Sequence, residues 1–145
     1  MDNLENASFS QEAIFSHAVG HLVSGKPFVE LGLPAKNLTE RLTLHPVIST
    51  NMIRGSVIFI DRFENVVLNI KKGLFERTRN GRNFSLYFKR NEPITQLNEY
   101  YYDVPVGETL CLFNASDFLE IAINMGKASS LLGLKLDDTV EIRFL

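Results

Sequence analysis

Four polar side chains, Asp61, Arg62, Glu64 and Asn65, interrupt an apolar run in the stretch IDRFENVVLNI, Ile60 to Ile70. Such a junction is either a solvated turn between two strands or the rim of a pocket that reads a polar ligand. Taken alone, Asp61 and Asn65 fit the turn better, because Asp and Asn commonly close turns. By the same standard Phe63 fits core, and Asn69 fits a side chain that satisfies a neighbouring loop backbone. Other groups invite chemistry less strongly. His17 and His21 stand one helical turn apart, a metal-ligand spacing, but no third ligand is evident and HAVGH lacks the glutamate of a metalloprotease motif. They read as helix-face histidines, and His45 beside Pro46 reads as a connector residue. Cys111 is the sole cysteine, so neither an intrachain disulfide nor a cysteine cluster for zinc is available. Its setting, TLCLF, predicts a buried small hydrophobe in a reducing compartment. The run FERTRNGRNFSLYFKR gathers Arg77, Arg79, Arg82, Lys89 and Arg90 with Phe84, Tyr87 and Phe88, and a basic groove lined by aromatics can stack bases. The basic residues cluster at a turn, however, and the aromatics do not alternate on one face. Nucleic acid is therefore not expected as a partner.

The elements that would position these groups are legible from texture. The 145 residues, 45% apolar and 22% charged with a net charge of -2, suit one globular domain and provide no general attraction to nucleic acid or anionic lipid. No run has the length of a membrane-spanning helix, and the polar start MDNLENASFSQ lacks a signal-peptide core. A cytoplasmic location without membrane contact is the expectation. Residues 10–25 place Ile14, Phe15, Ala18, Leu22 and Val23 on one helical stripe, with Ser8 or Ser10 as cap and Gly25 with Pro27 as stop. Residues 27–51 read as an extended connector with at most short structured pieces. From Met52 onward the pattern is β. Arg54 to Ile60 and Asn65 to Ile70 predict a hairpin, KKGLFER a helical turn before Asn80-Gly81, and NFSLYFKR, TLCLF and DFLEIAI further strands. KASSLL predicts a short helix stopped by Gly133, and Val140, Ile142 and Phe144 alternate in the last strand. The expected fold is mainly β with short helices: a small closed or sandwich-like β-barrel preceded by an N-terminal helix. Its divisions are 1–26, 27–51 and 52–145.

Two stretches carry a family resemblance. GSVIFIDRFENVVLNI resembles the pattern G-x-V-x-x-I-D-x-F-G-N-x-x-T-N-I of the S-adenosylmethionine hydroxide adenosyltransferases and their fluorinase and chlorinase relatives. NASDFLEIAINMGKASSLLGLKLDDTVEI is similar to N-S-x-G-Y-L-E-I-A-x-N-x-G-x-A-x-x-L-L-G-L-x-x-G-D-x-V-E-I of the same family. The helix stretch FSQEAIFSHAVGHLVSGKPFVELGLP resembles the end of that family's N-terminal domain, F-H-G-R-D-I-F-A-P-A-A-A-H-L-A-x-G-x-P-L-E-E-L-G. The resemblance implies a trimer in which S-adenosylmethionine lies between the N-terminal domain of one subunit and the C-terminal barrel of the next. Water or halide attacks the ribose C5′ and methionine leaves, with no cofactor and no metal. It further implies that Asp61 receives the methionine ammonium, that the Asn65 amide pairs with the adenine edge, and that Phe63 forms an apolar wall. Asn114 and Ser116 would lie toward the methionine end, and Asn124 with Met125 would offer backbone groups to adenine.

The chain departs from the family pattern where chemistry is concentrated. Ser10 stands at the histidine of F-H-G-R-D, Glu64 at the glycine of F-G-N, Ala115 at the serine of N-S, and Asp117 at the glycine that follows. Glu64 is expected to disfavour a positive φ and to add a carboxylate beside Asp61. The upstream aspartate and arginine of the family's active site have no counterpart. The expected function is a substrate-binding and assembly domain with no catalytic residue of its own, weak for an adenosyl ligand and forming a homo-oligomer. The alternative is a structural or oligomerisation barrel that binds no ligand.

Overall fold

The computed structural model describes residues 10–34 and 45–145, and contacts divide the chain into two compact units, Met1–Arg41 and Leu42–Leu145. In the first unit helix α1 spans Ser10–Val23 and gives way to Gly25 at φ 74°, where the missing side chain permits the left-handed turn. A single 3-10 turn, Phe28–Glu30, follows. Ile14, Phe15, Val19 and Leu22 are exposed along α1. The possible cap Ser8 and the connector's middle, 35–44, lie outside the described residues.

The second unit contains strands β1 (Val47–Ser49), β2 (Met52–Ile60), β3 (Val66–Lys71), β4 (Phe84–Phe88), β5 (Thr109–Phe113), β6 (Phe118–Ile123) and β7 (Thr139–Phe144), with helices α2 (Lys72–Arg79) and α3 (Ala128–Leu132). All ladders are antiparallel, in the order β4-β7-β2-β3-β6-β5, with the short β1 also on β2. The mainly β expectation with an N-terminal helix and short helices therefore holds. The barrel takes the form of a strongly curled six-strand half-barrel whose edges, β4 and β5, do not pair with each other. Instead, the connection between them crosses the gap. Ile94 exchanges backbone hydrogen bonds with Leu86 of β4, and the Asn98 amide donates to the Cys111 carbonyl of β5 at 2.9 Å. This answers the edge groups without sheet closure.

The curl is built at the middle of β2. Its first half pairs with β1 and β7, its second half with β3, and a register shift lies between Val57 and Phe59. There the Ser56 amide donates to Asn69 Oδ1 at 2.8 Å, and the Val57 amide donates to the Asp138 carbonyl at 2.9 Å. Asn69 thus satisfies a strand backbone at the bend, where a loop partner was expected. Gly55 makes the approach possible, because a Cβ there would stand 2.7 Å from the Ile70 side chain and 2.8 Å from Asn69 Oδ1. Inside the curl, Phe75 from α2 is fully buried and meets Phe84, Phe113 and Phe144 edge-on at 5.1, 5.5 and 5.6 Å. Val140, Ile142 and Phe144 of β7 are buried in alternation, as their spacing predicts. Cys111 is fully buried, and burial pushes its thiol up to about 12. In the basic run, Arg79 and Arg82 donate to each other's backbone carbonyls, and Arg82 also reaches the Thr50 and Thr78 carbonyls.

Candidate functional site

Two hairpin loops of the same design lie beside β6. In the first, between β2 and β3, Asp61 Oδ1 accepts the Phe63 and Asn65 amides, both at 2.8 Å, and Oδ2 accepts the Asn65 side-chain amide at 3.2 Å. The Glu64 amide donates to the Asp61 carbonyl, and Glu64 itself is left-handed at φ 65°. In the second, between β5 and β6, Asn114 Oδ1 accepts the Ser116 amide at 3.0 Å and the Phe118 amide at 3.2 Å. The Asp117 amide donates to the Asn114 carbonyl, and Asp117 stands at φ 62°. Each is a tight turn followed by one residue in the left-handed region, the geometry of a three-residue hairpin connection. Those left-handed positions are where the resembled pattern has glycine. Glu64 and Asp117 keep the glycine backbone despite their side chains: the conformation that Glu64 was expected to disfavour is adopted nonetheless, and remains a strained one for both residues. The Glu64 carboxylate also points elsewhere than predicted: it pairs with Lys127 Nζ at 3.0 Å and accepts from Ser130.

A crevice of about 570 Å³ opens beside the first loop, lined by Asp61, Phe63, Asn65, Tyr101, Asn124, Met125 and Lys127 among others. Of the residues expected in a ligand site, Asp61, Phe63, Asn65, Asn124 and Met125 therefore share one cavity. Asn114 and Ser116 do not line it. They occupy the turn before β6, whereas Asn124 follows the strand's far end, so β6 separates the two groups. A chain of hydrogen bonds nonetheless connects them along the strand. The buried Glu120 of β6 accepts from Asn114 Nδ2 at 3.2 Å through one oxygen and from the Tyr101 hydroxyl at 2.8 Å through the other. Burial first, and the Glu120 hydrogen bond second, raise the Tyr101 hydroxyl to about 12.

The crevice is lined by both apolar and polar side chains. Phe63 is 60% and Met125 87% exposed, with the Arg62 guanidinium 4.7 Å above the Phe63 ring. Asn124 Nδ2 donates to the Val104 carbonyl at 2.7 Å, which ties the rim to the tyrosine-rich segment and leaves the Asn124 amide oxygen as acceptor. Asp61 Oδ2 retains acceptor capacity beyond its single bond to Asn65. Tyr101 and Lys127 are crevice residues that sequence reading missed. The consecutive tyrosines 100–102 ahead of Asp103-Val104-Pro105 were the available signal for the first. Nothing in the sequence marked Lys127.

Residues 55–141 match the SAM hydroxide adenosyltransferase C-terminal domain. The chain belongs to that family. The matched span contains both hairpin loops, and membership suggests a ligand related to S-adenosylmethionine. An (R)-S-adenosyl-L-methionine hydrolase from Thermus thermophilus is 28% identical over 129 residues, covering 89% of this chain and 46% of that protein. The crystal structure of an uncharacterized conserved protein from Thermotoga maritima superposes with a TM-score of 0.66 at 30% identity, covering 95% of this chain and 54% of the other. A conserved hypothetical protein from Thermus thermophilus superposes with a TM-score of 0.56 at 25% identity, covering 95% and 53%. The chain thus spans about half the length of these relatives.

Among the described residues no group of three His, Cys, Asp or Glu could hold a metal ion. His21 Nε2 lies 2.9 Å from the Pro27 carbonyl. No described helix is long and apolar enough to cross a membrane.

Proposed function

We propose that residues 52–145 form the substrate-binding and assembly half of an S-adenosylmethionine hydrolase-like site. The carrying observation is the gathering of Asp61, Phe63, Asn65, Asn124 and Met125 around one crevice. In this reading Asp61 Oδ2 receives the ligand ammonium, a charge-assisted bond that exploits its remaining lone pair. Asn65 offers its amide oxygen and second N–H to the adenine edge. Phe63 and Met125 cover the apolar faces of the ligand, which accords with their exposure at the rim. Tyr101 lines the same wall. Asn114, at the other end of β6, then acts toward the methionine end through the Glu120–Tyr101 chain, and Ser116 only across an assembled interface.

In this reading these groups bind and orient, and the half-site is catalytically incompetent on its own. Hydrolysis draws on positioning and desolvation supplied by groups beyond residues 52–145. Affinity is correspondingly low. Three or four hydrogen bonds at about 0.5 to 1.5 kcal/mol each give a sum near the roughly 4 kcal/mol of a millimolar site. The assembly part of the reading extends to the first unit, whose exposed α1 residues Ile14, Phe15, Val19 and Leu22 suit a homo-oligomer.

The test is a titration with S-adenosylmethionine and with adenosine, followed by amide chemical shifts. Movement confined to Asp61, Asn65 and Asn124 is expected, with no release of methionine. Silence at millimolar ligand removes the reading. A ligand-free structural module is the second reading, favoured by one observation: Asp61 and Asn114 already hold their own loops together through their side-chain oxygens. It predicts that same silence with the oligomer intact.

A further inference from the structure

The crevice has two rims, the hairpin loop 61–65 and the segment 123–127 that leads into α3. The second rim is anchored at Asn124, which bonds to the Val104 and Glu108 carbonyls and accepts the Gly107 amide, but its α3 end, Met125 to Lys127, has fewer ties of its own. Met125 is left-handed at φ 56°, and Lys127, the residue before α3, provides no side-chain cap to the helix. Gly126 turns there so tightly that a Cβ would collide with Ile123. What holds this end of α3 comes from the opposite rim. The Ser129 amide donates to the Glu64 carbonyl at 2.9 Å, and the Ser130 amide donates to Glu64 Oε2 at 3.1 Å. The Ser130 hydroxyl donates to the same carboxylate oxygen, and Lys127 Nζ closes on Oε1 at 3.0 Å. Glu64 therefore performs for α3 the task a local Ser, Thr or Asp ordinarily performs, answering amides of the first turn that have no partner within the helix.

We infer that Glu64 is the latch of the crevice: by capping α3 and pairing with Lys127 from across the opening, it holds the α3 end of rim 123–127, Met125 to Lys127, against rim 61–65, while the β3–β6 ladder and the bonds of Asn124 fix the rim's other end. Glu64 does not line the crevice and touches no ligand position, so its role is positioning. The left-handed backbone explains why it is suited to this. At φ 65° a side chain leaves the loop in a direction that an ordinary strand residue cannot use. The carboxylate contacts made from this conformation oppose its strain. The inference rests on the adenosyl reading only for the identity of the ligand; the coupling of the two rims stands on geometry.

The experiment compares the full chain with its Glu64→Gly and Glu64→Gln variants by amide hydrogen exchange at Ser130 and Gly126, and by adenosine titration. Glycine relieves the backbone strain and deletes the carboxylate contacts to Ser130 and Lys127 while keeping the carbonyl that Ser129 uses. Losing the cap is expected to speed Ser130 exchange about fivefold. Exchange at Gly126, whose amide bonds to Ile123 within the far rim, should rise with it, and adenosine should bind more weakly by a similar factor. Glutamine, which keeps an acceptor for Ser130 but loses the ion pair, should restore most of the protection. Faster exchange at Ser130 alone, with Gly126 unchanged, would reduce Glu64 to a helix cap and overturn the latch. So would a Gly variant protected as well as the parent. If the parent chain shows no response to adenosine, the substrate reading falls, while the Gly126 exchange still decides whether the rims are coupled.

Discussion

At the scale of single residues, Asp61 has two employments, and they separate experimentally. Its carboxylate holds the loop through bonds to the Phe63 and Asn65 amides and the Asn65 side chain, and it keeps one acceptor direction for a ligand. Asp61→Ala should destabilise the fold by about 1 to 3 kcal/mol, since backbone donors in the loop lose their acceptor. Asp61→Asn, which retains Oδ1, should keep most of the stability in a urea titration while losing affinity for an amine-bearing ligand. Titration of carboxylates gives a second prediction. Hydrogen bonds from Ser130 and Lys127 hold Glu64 below its ordinary value, and the Lys89 hydrogen bond does the same for Asp138. Between the depressed folded values and the ordinary carboxylate range the unfolded chain binds more protons, so stability rises with pH there. It is complete above the ordinary range and is lost as acid reaches the folded values. Thermal melting from neutral to strongly acidic pH should show this fall, and Glu64→Gln should make it shallower. Cys111 supplies a third: its raised pKa and complete burial predict no reaction with a thiol reagent in the native protein and prompt reaction in denaturant.

At the scale of elements, the sheet bends where β2 changes partners, and the glycine and asparagine at that point permit the bend. Gly55→Ala would push a methyl group into Ile70 and Asn69, and overpacking of this kind is expected to destabilise by about 1 to 3 kcal/mol in chemical denaturation. Phe75 is the larger contribution, because α2 buries only this residue and three aromatic rings converge on it. Phe75→Ala should remove about 3 to 5 kcal/mol and separate α2 from the sheet. The elements themselves were well foretold by periodicity. The Arg54–Ile70 hairpin, the Asn80-Gly81 turn, the Gly133 stop and the alternation of the last strand appear as their spacing implied. The left-handed Glu64 and Asp117 were not foretold, since propensity alone assigns such backbone to glycine.

For the whole molecule, the seam of the half-barrel is bridged by the β4–β5 connection, and the crevice with exposed Phe63 and Met125 is the surface suited to being covered. If assembly accompanies function, light scattering should give a mass above one chain, and Phe63→Ser should weaken ligand binding without unfolding the sheet. A strict monomer at high concentration would count against the assembly half of the proposal.

Reading along the chain gave most of the list of parts: the strand and helix positions other than β1, which lies in the expected connector, the family, and which polar residues invited attention. These follow from local spacing, because a two-residue or four-residue period records which face of an element meets the core. The folded chain alone decided which of those polar residues meet. Asp61, Asn65 and Asn124 came together and Asn114 went to the opposite end of β6 because antiparallel pairing, not chain proximity, sets which loops share an end of a sheet. The same pairing brought Glu64 to the start of α3, a partner that no local pattern could assign.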